Sequence, residues 1–204
     1  MDLSWEDRRR AFTDAAAWFV RTAALVGGRW DQPGLGEWDI RALVGHTSRS
    51  FLTVETYLDR PAVVAEVSSA ADYFRATRAV AAGSAVAARG RDAGNALGSD
   101  PATAVAEIAA RVVGGLDTRD GTELVTTIVG GMRLSDYLPT RTFELVVHTA
   151  DLAHALGEPL DVPVTAAAQA LQVVTDLALL DGLAGALLLA VTGRPAGPAG
   201  FTVL

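Results

Sequence analysis

The 204-residue chain contains no cysteine. That excludes disulfides, a thiolate-ligated zinc site and a cysteine nucleophile, so any sulfur chemistry would need a thiol supplied from outside. Lysine is also missing: all 17 basic residues are arginine, which biased codon usage in a G+C-rich genome explains without a functional reason. Basic runs stop at Arg8–Arg10, and the net charge is −7. Nucleic acid, which requires a concentrated positive patch, is therefore not an expected partner. Aromatics make up 6% of the chain, leaving a core of Ala, Val and Leu suited to closely packed helices. No long apolar run is free of polar interruption. Gln169, Gln172, Asp176 and Asp181 break the stretch 166–191, and charges at a bilayer centre are costly. The opening "MDLSWEDRRR" is polar, unlike a signal peptide. A soluble, cytoplasmic protein is the expectation.

Half of the residues are hydrophobic, enough for one packed domain. Helical spacing of Phe12, Ala16, Phe19, Ala23 and Val26 predicts a first helix over 5–27, stopped by Gly27-Gly28. A loop then leads to Asp39, an N-cap for a second helix that ends at Pro61. A third helix is expected over 64–89, with "GRDAGNALGS" after it as a flexible loop. Asp100-Pro101 opens a fourth, to about 115. The β-branched stretch 122–133 predicts a short strand or hairpin. Pro139 fits the first turn of the next helix, which Gly157 and Pro159 end. One long apolar helix over 163–192 and a Gly/Pro-rich tail complete an all-α bundle with additions.

The segment "RTFELVVHTADLAHALG" (141–157) carries the chemistry. Glu144 and His148 lie about 40° apart on a helix, with Arg141 and Asp151 in the same stripe. Two readings stand on spacing alone. One is an exposed, ion-paired surface with Arg141 bonded to Glu144 at i,i+3. The other is half of a metal site facing into the bundle, with His46 of "EWDIRALVGHTSRSF" as a third ligand. The chain has only three histidines, and His154 falls off the stripe.

"W-D-I-R-A-L-V-G-H" followed, about a hundred residues later, by "R-x-x-E-L-V-V-H-x-x-D-L" resembles the mycothiol-dependent maleylpyruvate isomerase family, within the DinB-like superfamily of metal-binding four-helix bundles. The likeness spans about residues 10 to 157. It implies a DinB-like bundle over 1–157 with at most a short strand or hairpin, and a C-terminal helix and short tail over 158–204 packing on it. His46, Glu144 and His148 are the metal ligands it implies, a set suited to Zn²⁺, with Ni, Fe or Mn compatible by ligand type. Asp151 would orient a ligand, and Arg141 would bind a substrate carboxylate. The thiol of mycothiol would be activated at the metal, for S-transfer to an electrophile or for cis–trans isomerisation of a maleylpyruvate-like substrate.

The isomerase proper carries a smaller C-terminal α/β domain, for which the 47 residues after Gly157 leave little room. Transfer to another electrophile becomes at least as good an expectation, and Arg194 could supply an anion contact. The second class of reading is a non-catalytic bundle that binds metal or thiol, or a homodimer joined through the Leu/Ala-rich segment 178–191. A serine hydrolase fails for want of a G-x-S-x-G elbow.

Overall fold

In the computed structural model, residues 3–81, 84–195 and 201–204 are described. Four helices form the bundle: α1 (Trp5–Ala24), α2 (Ile40–Leu58), α5 (Pro101–Gly115) and α6 (Leu134–Leu156). Each of α1 and α2 packs against both α5 and α6. Between α2 and α5 the chain forms α3 (Ala70–Ala81), on α6, and α4 (Ser84–Ala96), on α2. Beyond α6, α7 (Val164–Leu180) covers the groove between α1 and α6, and α8 (Ala184–Val191) packs on α7. Among the described residues, no helix is long and apolar enough to cross a membrane.

Local chemistry sets the helix ends. Ser4 and Asp7 form a capping box on α1. The Asp39 carboxylate accepts from the Ala42 N–H at 2.7 Å, and Asp100 caps α5 ahead of Pro101. Gly157 ends α6 at φ +72, a left-handed position that glycine occupies without steric cost. The core is continuous: Phe12 meets Phe51 edge-on at 5.8 Å, within a layer that includes Phe19, Leu43, Val54, Leu138 and Leu145. The expected hairpin is present as β3 (Leu124–Thr127) and β4 (Gly130–Arg133), antiparallel.

Several boundaries differ from the sequence reading. The presumed loop over 27–37 contains β1 (Pro33–Leu35), which pairs with β2 (Trp38–Asp39). Residues 61–67 are not helical. They run beside the β3–β4 hairpin, with Ala62 N–H bonded to Leu124 O and Val67 N–H to Gly131 O. The expected single helix over 64–89 is thus two helices, and α4 continues through Gly90, Gly94 and Asn95, where a flexible loop is predicted. Those glycines serve a close helix crossing. A Cβ on Gly45 would lie 2.1 Å from Gly94 N, and one on Gly90 would lie 2.7 Å from the Trp38 indole.

Pro139 is the sixth residue of α6 rather than part of its first turn. Proline cannot donate to the carbonyl four residues back. That carbonyl, Ser135 O, accepts from Arg8 Nη1 at 2.5 Å instead. The long apolar segment over 163–192 breaks at Gly182, φ +69, into α7 and α8.

Candidate metal centre

Two antiparallel helices build the site. On α2, Leu43, Val44, Phe51 and Val54 are fully buried and fix the helix rotation, which leaves His46 at the edge of that face. On α6, Leu138, Leu145 and Leu152 do the same for Arg141, Glu144 and His148. The His46 and His148 rings meet edge-on at 4.8 Å, and eleven residues along each helix Tyr57 meets Tyr137 at 5.2 Å. The polar stripe of α6 therefore faces α2 rather than solvent.

His46, Glu144 and His148 each present one ligand atom, all within 4.8 Å of one another. His148 Nε2 lies 3.2 Å from Glu144 Oε2. Two donors on one tetrahedral zinc, each about 2.0–2.1 Å from it, stand about 3.3 Å apart, so this pair already has a chelating separation. His46 Nδ1 is buried without a hydrogen-bond partner, as an imidazole nitrogen would be if its partner were a cation. No fourth His, Asp or Glu joins the group among the described residues. Asp151 stays behind it, its Oδ2 3.0 Å from His148 Nδ1. A carboxylate only accepts, so Nδ1 donates to Asp151, and loss of the second proton, from Nε2, is what would free that nitrogen for a metal.

Electrostatics match a site that exchanges a proton for a cation. Burial works against a charged His148, but hydrogen bonds to Asp151 and Glu144 outweigh it and push its pKa up to about 9. Burial and the neighbouring His148 push His46 down to about 4. Glu144 is held down at about 2: burial opposes its charge, while the His148 bond and the Arg141 cation favour it. Two neutral imidazoles and one carboxylate are the protonation states that a divalent cation needs.

The sequence reading missed the walls. Trp38, the first residue of β2, stacks on His46 with ring centroids 4.5 Å apart, and its Nε1–H donates to Ala87 O at 3.1 Å. Its position in the W-D pair before the helix was visible, but not the ring it would meet.

Arg141 is only 9% exposed, and the surface ion pair with Glu144, one of the two readings of the sequence, is not among those found in the described residues. Its guanidinium lies over the rings of Tyr73 and Tyr137, at 5.4 and 5.2 Å, and among the described residues it has one hydrogen bond, from Nε to Thr140 Oγ1. Arg194 is exposed just after α8, with no side-chain bond to the cluster among the described residues. His154 is exposed near the C-terminal end of α6 and outside the group.

Residues 6–153 match the family described as the mycothiol maleylpyruvate isomerase N-terminal domain. The chain belongs to this family. The match covers well over half of the sequence, takes in α2 and α5 whole and nearly all of α1 and α6, and has His46, Glu144, His148 and Asp151 inside it. No curated protein and no solved structure matches the chain.

Proposed function

We propose that this protein is a metal-dependent enzyme of thiol chemistry. It would use mycothiol or a related low-molecular-weight thiol for S-transfer to an electrophile or for cis–trans isomerisation of a maleylpyruvate-like substrate. The observation that carries the reading is the three-donor group His46, Glu144 and His148 with Asp151 behind it. Three protein donors without a fourth are the mark of a catalytic rather than a closed structural site. These residues would hold a divalent cation, zinc by the nature of the donors. Bound there, it would supply Lewis acidity that favours thiolate over thiol. The thiol must come from outside, because the chain has no cysteine.

The remaining roles belong to the chain itself. Asp151 fixes the His148 tautomer and ring orientation. Trp38 holds the His46 ring and covers that side of the group. Arg141 is a buried cation on the same face of α6, one turn before Glu144, with no carboxylate within ion-pair distance among the described residues. A buried charge without a counter-ion is costly, and a substrate carboxylate would remove that cost.

The test is thiol transfer by the zinc-loaded protein, comparing wild type with Arg141→Gln on one carboxylate-bearing and one uncharged electrophile. Loss of a charge-assisted hydrogen bond predicts a kcat/KM lower by about 10- to 100-fold for the charged electrophile only. Wild-type protein with full metal and no thiol-dependent turnover would favour the non-catalytic reading. The apolar side chains exposed along α7 and α8, including Leu179, Leu180, Leu188 and Val191, would suit that reading as a dimerisation or interaction surface.

A further inference from the structure

From Val164 to Thr192, along α7, the turn after it and α8, the chain exposes no charged side chain. The two carboxylates in this segment are half-buried and engaged. Asp176 accepts from Gln172 Nε2, and Asp181 pairs with Arg75 and Arg78 of α3. A solvated surface carries charge at about a quarter to a third of its positions, and a helix on the outside of a bundle turns its polar residues to water. On α7 the exposed stripe is instead Val164, Ala168, Leu171, Thr175 and Leu179, with Gln172 at its edge. At 100° per residue the five positions fall within about 80° of one another. Val164 is 83% exposed, Leu171 64% and Leu179 62%. Beside it, α8 adds Leu188, Leu189 and Val191, and none of its eight residues is buried.

Area, charge and spacing point to one occupant. The exposed apolar side chains of the two helices amount to roughly 700 Å², above the largest apolar patch of a typical monomer and close to what each partner gives to a standard interface. A lipid surface is the poorer match. Helices that lie on membranes flank their apolar face with basic residues and are drawn to anionic lipid. This segment has no basic residue, and the chain carries a net charge of −7. A second copy meets no charge conflict on an uncharged face. The stripe is also nearly symmetric about Leu171: Val164 lies seven residues before it and Leu179 eight after, Ala168 three before and Thr175 four after. Two-fold pairing requires a self-complementary patch. An antiparallel crossing at Leu171 supplies it, setting Val164 against Leu179 of the second copy and Leu171 against itself. Such a contact leaves the metal centre free, because α7 meets α6 on the side of Pro139, roughly 180° around that helix from His148.

We propose that the α7–α8 face is a two-fold dimer interface, on which a second copy of this chain crosses α7 antiparallel at Leu171.

The test is sedimentation equilibrium of the full chain over about 1–100 μM, the weak end of the range for interfaces of this size. A species of twice the 21.2 kDa chain mass is expected. Leu171→Arg places two like charges at the crossing and should weaken association at least about 100-fold, with unchanged circular dichroism and zinc content. Val63→Arg, at an apolar position 93% exposed elsewhere on the surface, should leave it unchanged. Because residue 171 faces its own copy, Leu171→Glu should also be monomeric, and mixing the two variants should restore the dimer. Leu188→Arg on α8 replaces Leu171→Arg should that variant fail to fold. A wild type that stays monomeric throughout the range overturns the proposal, as does a dimer that survives Leu171→Arg or Leu188→Arg. Failure of the Arg and Glu variants to reassociate overturns the crossing at Leu171. Zinc content and thiol turnover report on the proposed chemistry, and self-association on this face, so either can fail alone.

Discussion

Replacing Gly45 by alanine tests whether α2 is held in place by direct backbone contact with α4. The new Cβ would lie 2.1 Å from Gly94 N, 2.4 Å from Gly94 Cα and 2.6 Å from Ala93 C. All three are backbone atoms, so no side chain can swing aside. Reaching an ordinary 3.4 Å contact requires the two helices to separate by about 1.3 Å at this point. Overpacking of this kind costs about 1–3 kcal/mol, offset by up to about 1 kcal/mol from the better helix propensity of alanine. A net loss of about 1–2 kcal/mol lowers Tm by roughly 2–8 °C in a chain of this size. Because His46 follows Gly45 directly, metal affinity should fall as well. The assay is thermal unfolding followed by circular dichroism, beside Gly114→Ala, whose Cβ would meet nothing within 4 Å and which should be neutral or stabilising. If Gly45→Ala melts at or above the wild-type temperature, as the control does, the close crossing is not what positions His46.

Asp151→Asn should weaken zinc binding about 10- to 100-fold, because the anionic acceptor behind His148 becomes a neutral amide that raises the ring's basicity less; an unchanged Kd in a competition titration with a chromophoric chelator would remove Asp151 from the site. Metal uptake should also displace a proton. With His148 pushed up to about 9, the metal-free protein carries an imidazolium at pH 7. Calorimetric titrations with zinc in buffers of different ionisation enthalpy should then show close to one proton released per metal at pH 7, declining as pH rises past about 9. The same raised pKa means that protonated His148 stabilises the metal-free fold fully below its unfolded value near 6.5. That contribution disappears as pH rises through about 9, so the metal-free Tm should fall over that interval while the zinc-loaded Tm changes less; parallel Tm profiles for the two forms would contradict the proton–metal exchange.

Much of the bundle is legible along the chain because its helix ends are coded locally. Asp39, Asp100-Pro101 and Gly157 act where their side-chain and backbone chemistry says they should. The errors cluster where a residue has two physical uses. Gly90 and Gly94 look like loop residues, yet they allow α4 to touch α2, a tertiary need that no local pattern reports. Pro139 looks like a helix start, but a partner 127 residues upstream in sequence terms, Arg8 to Ser135 O, makes it tolerable within the helix.

The donor group was legible in part. Helical spacing pairs Glu144 with His148, but it leaves open whether they face solvent or α2. Two motifs about a hundred residues apart supplied His46, and the fold places all three together. Spacing on α6 allowed Arg141 an i,i+3 ion pair with Glu144 as one of two readings. In the structure the tyrosine faces of Tyr73 and Tyr137 cover it instead, and Tyr73 comes from α3, which no spacing on α6 could reveal.

The most direct measurement is metal content by inductively coupled plasma mass spectrometry on tag-free protein, wild type beside His46→Ala, Glu144→Ala and His148→Ala. Each variant should be checked for folding by circular dichroism. The account predicts close to one divalent ion per wild-type chain after incubation with Zn²⁺, and loss of most of it in every folded variant. A well-folded wild type that stays metal-free in the presence of Zn²⁺, or variants that retain the ion, would contradict it.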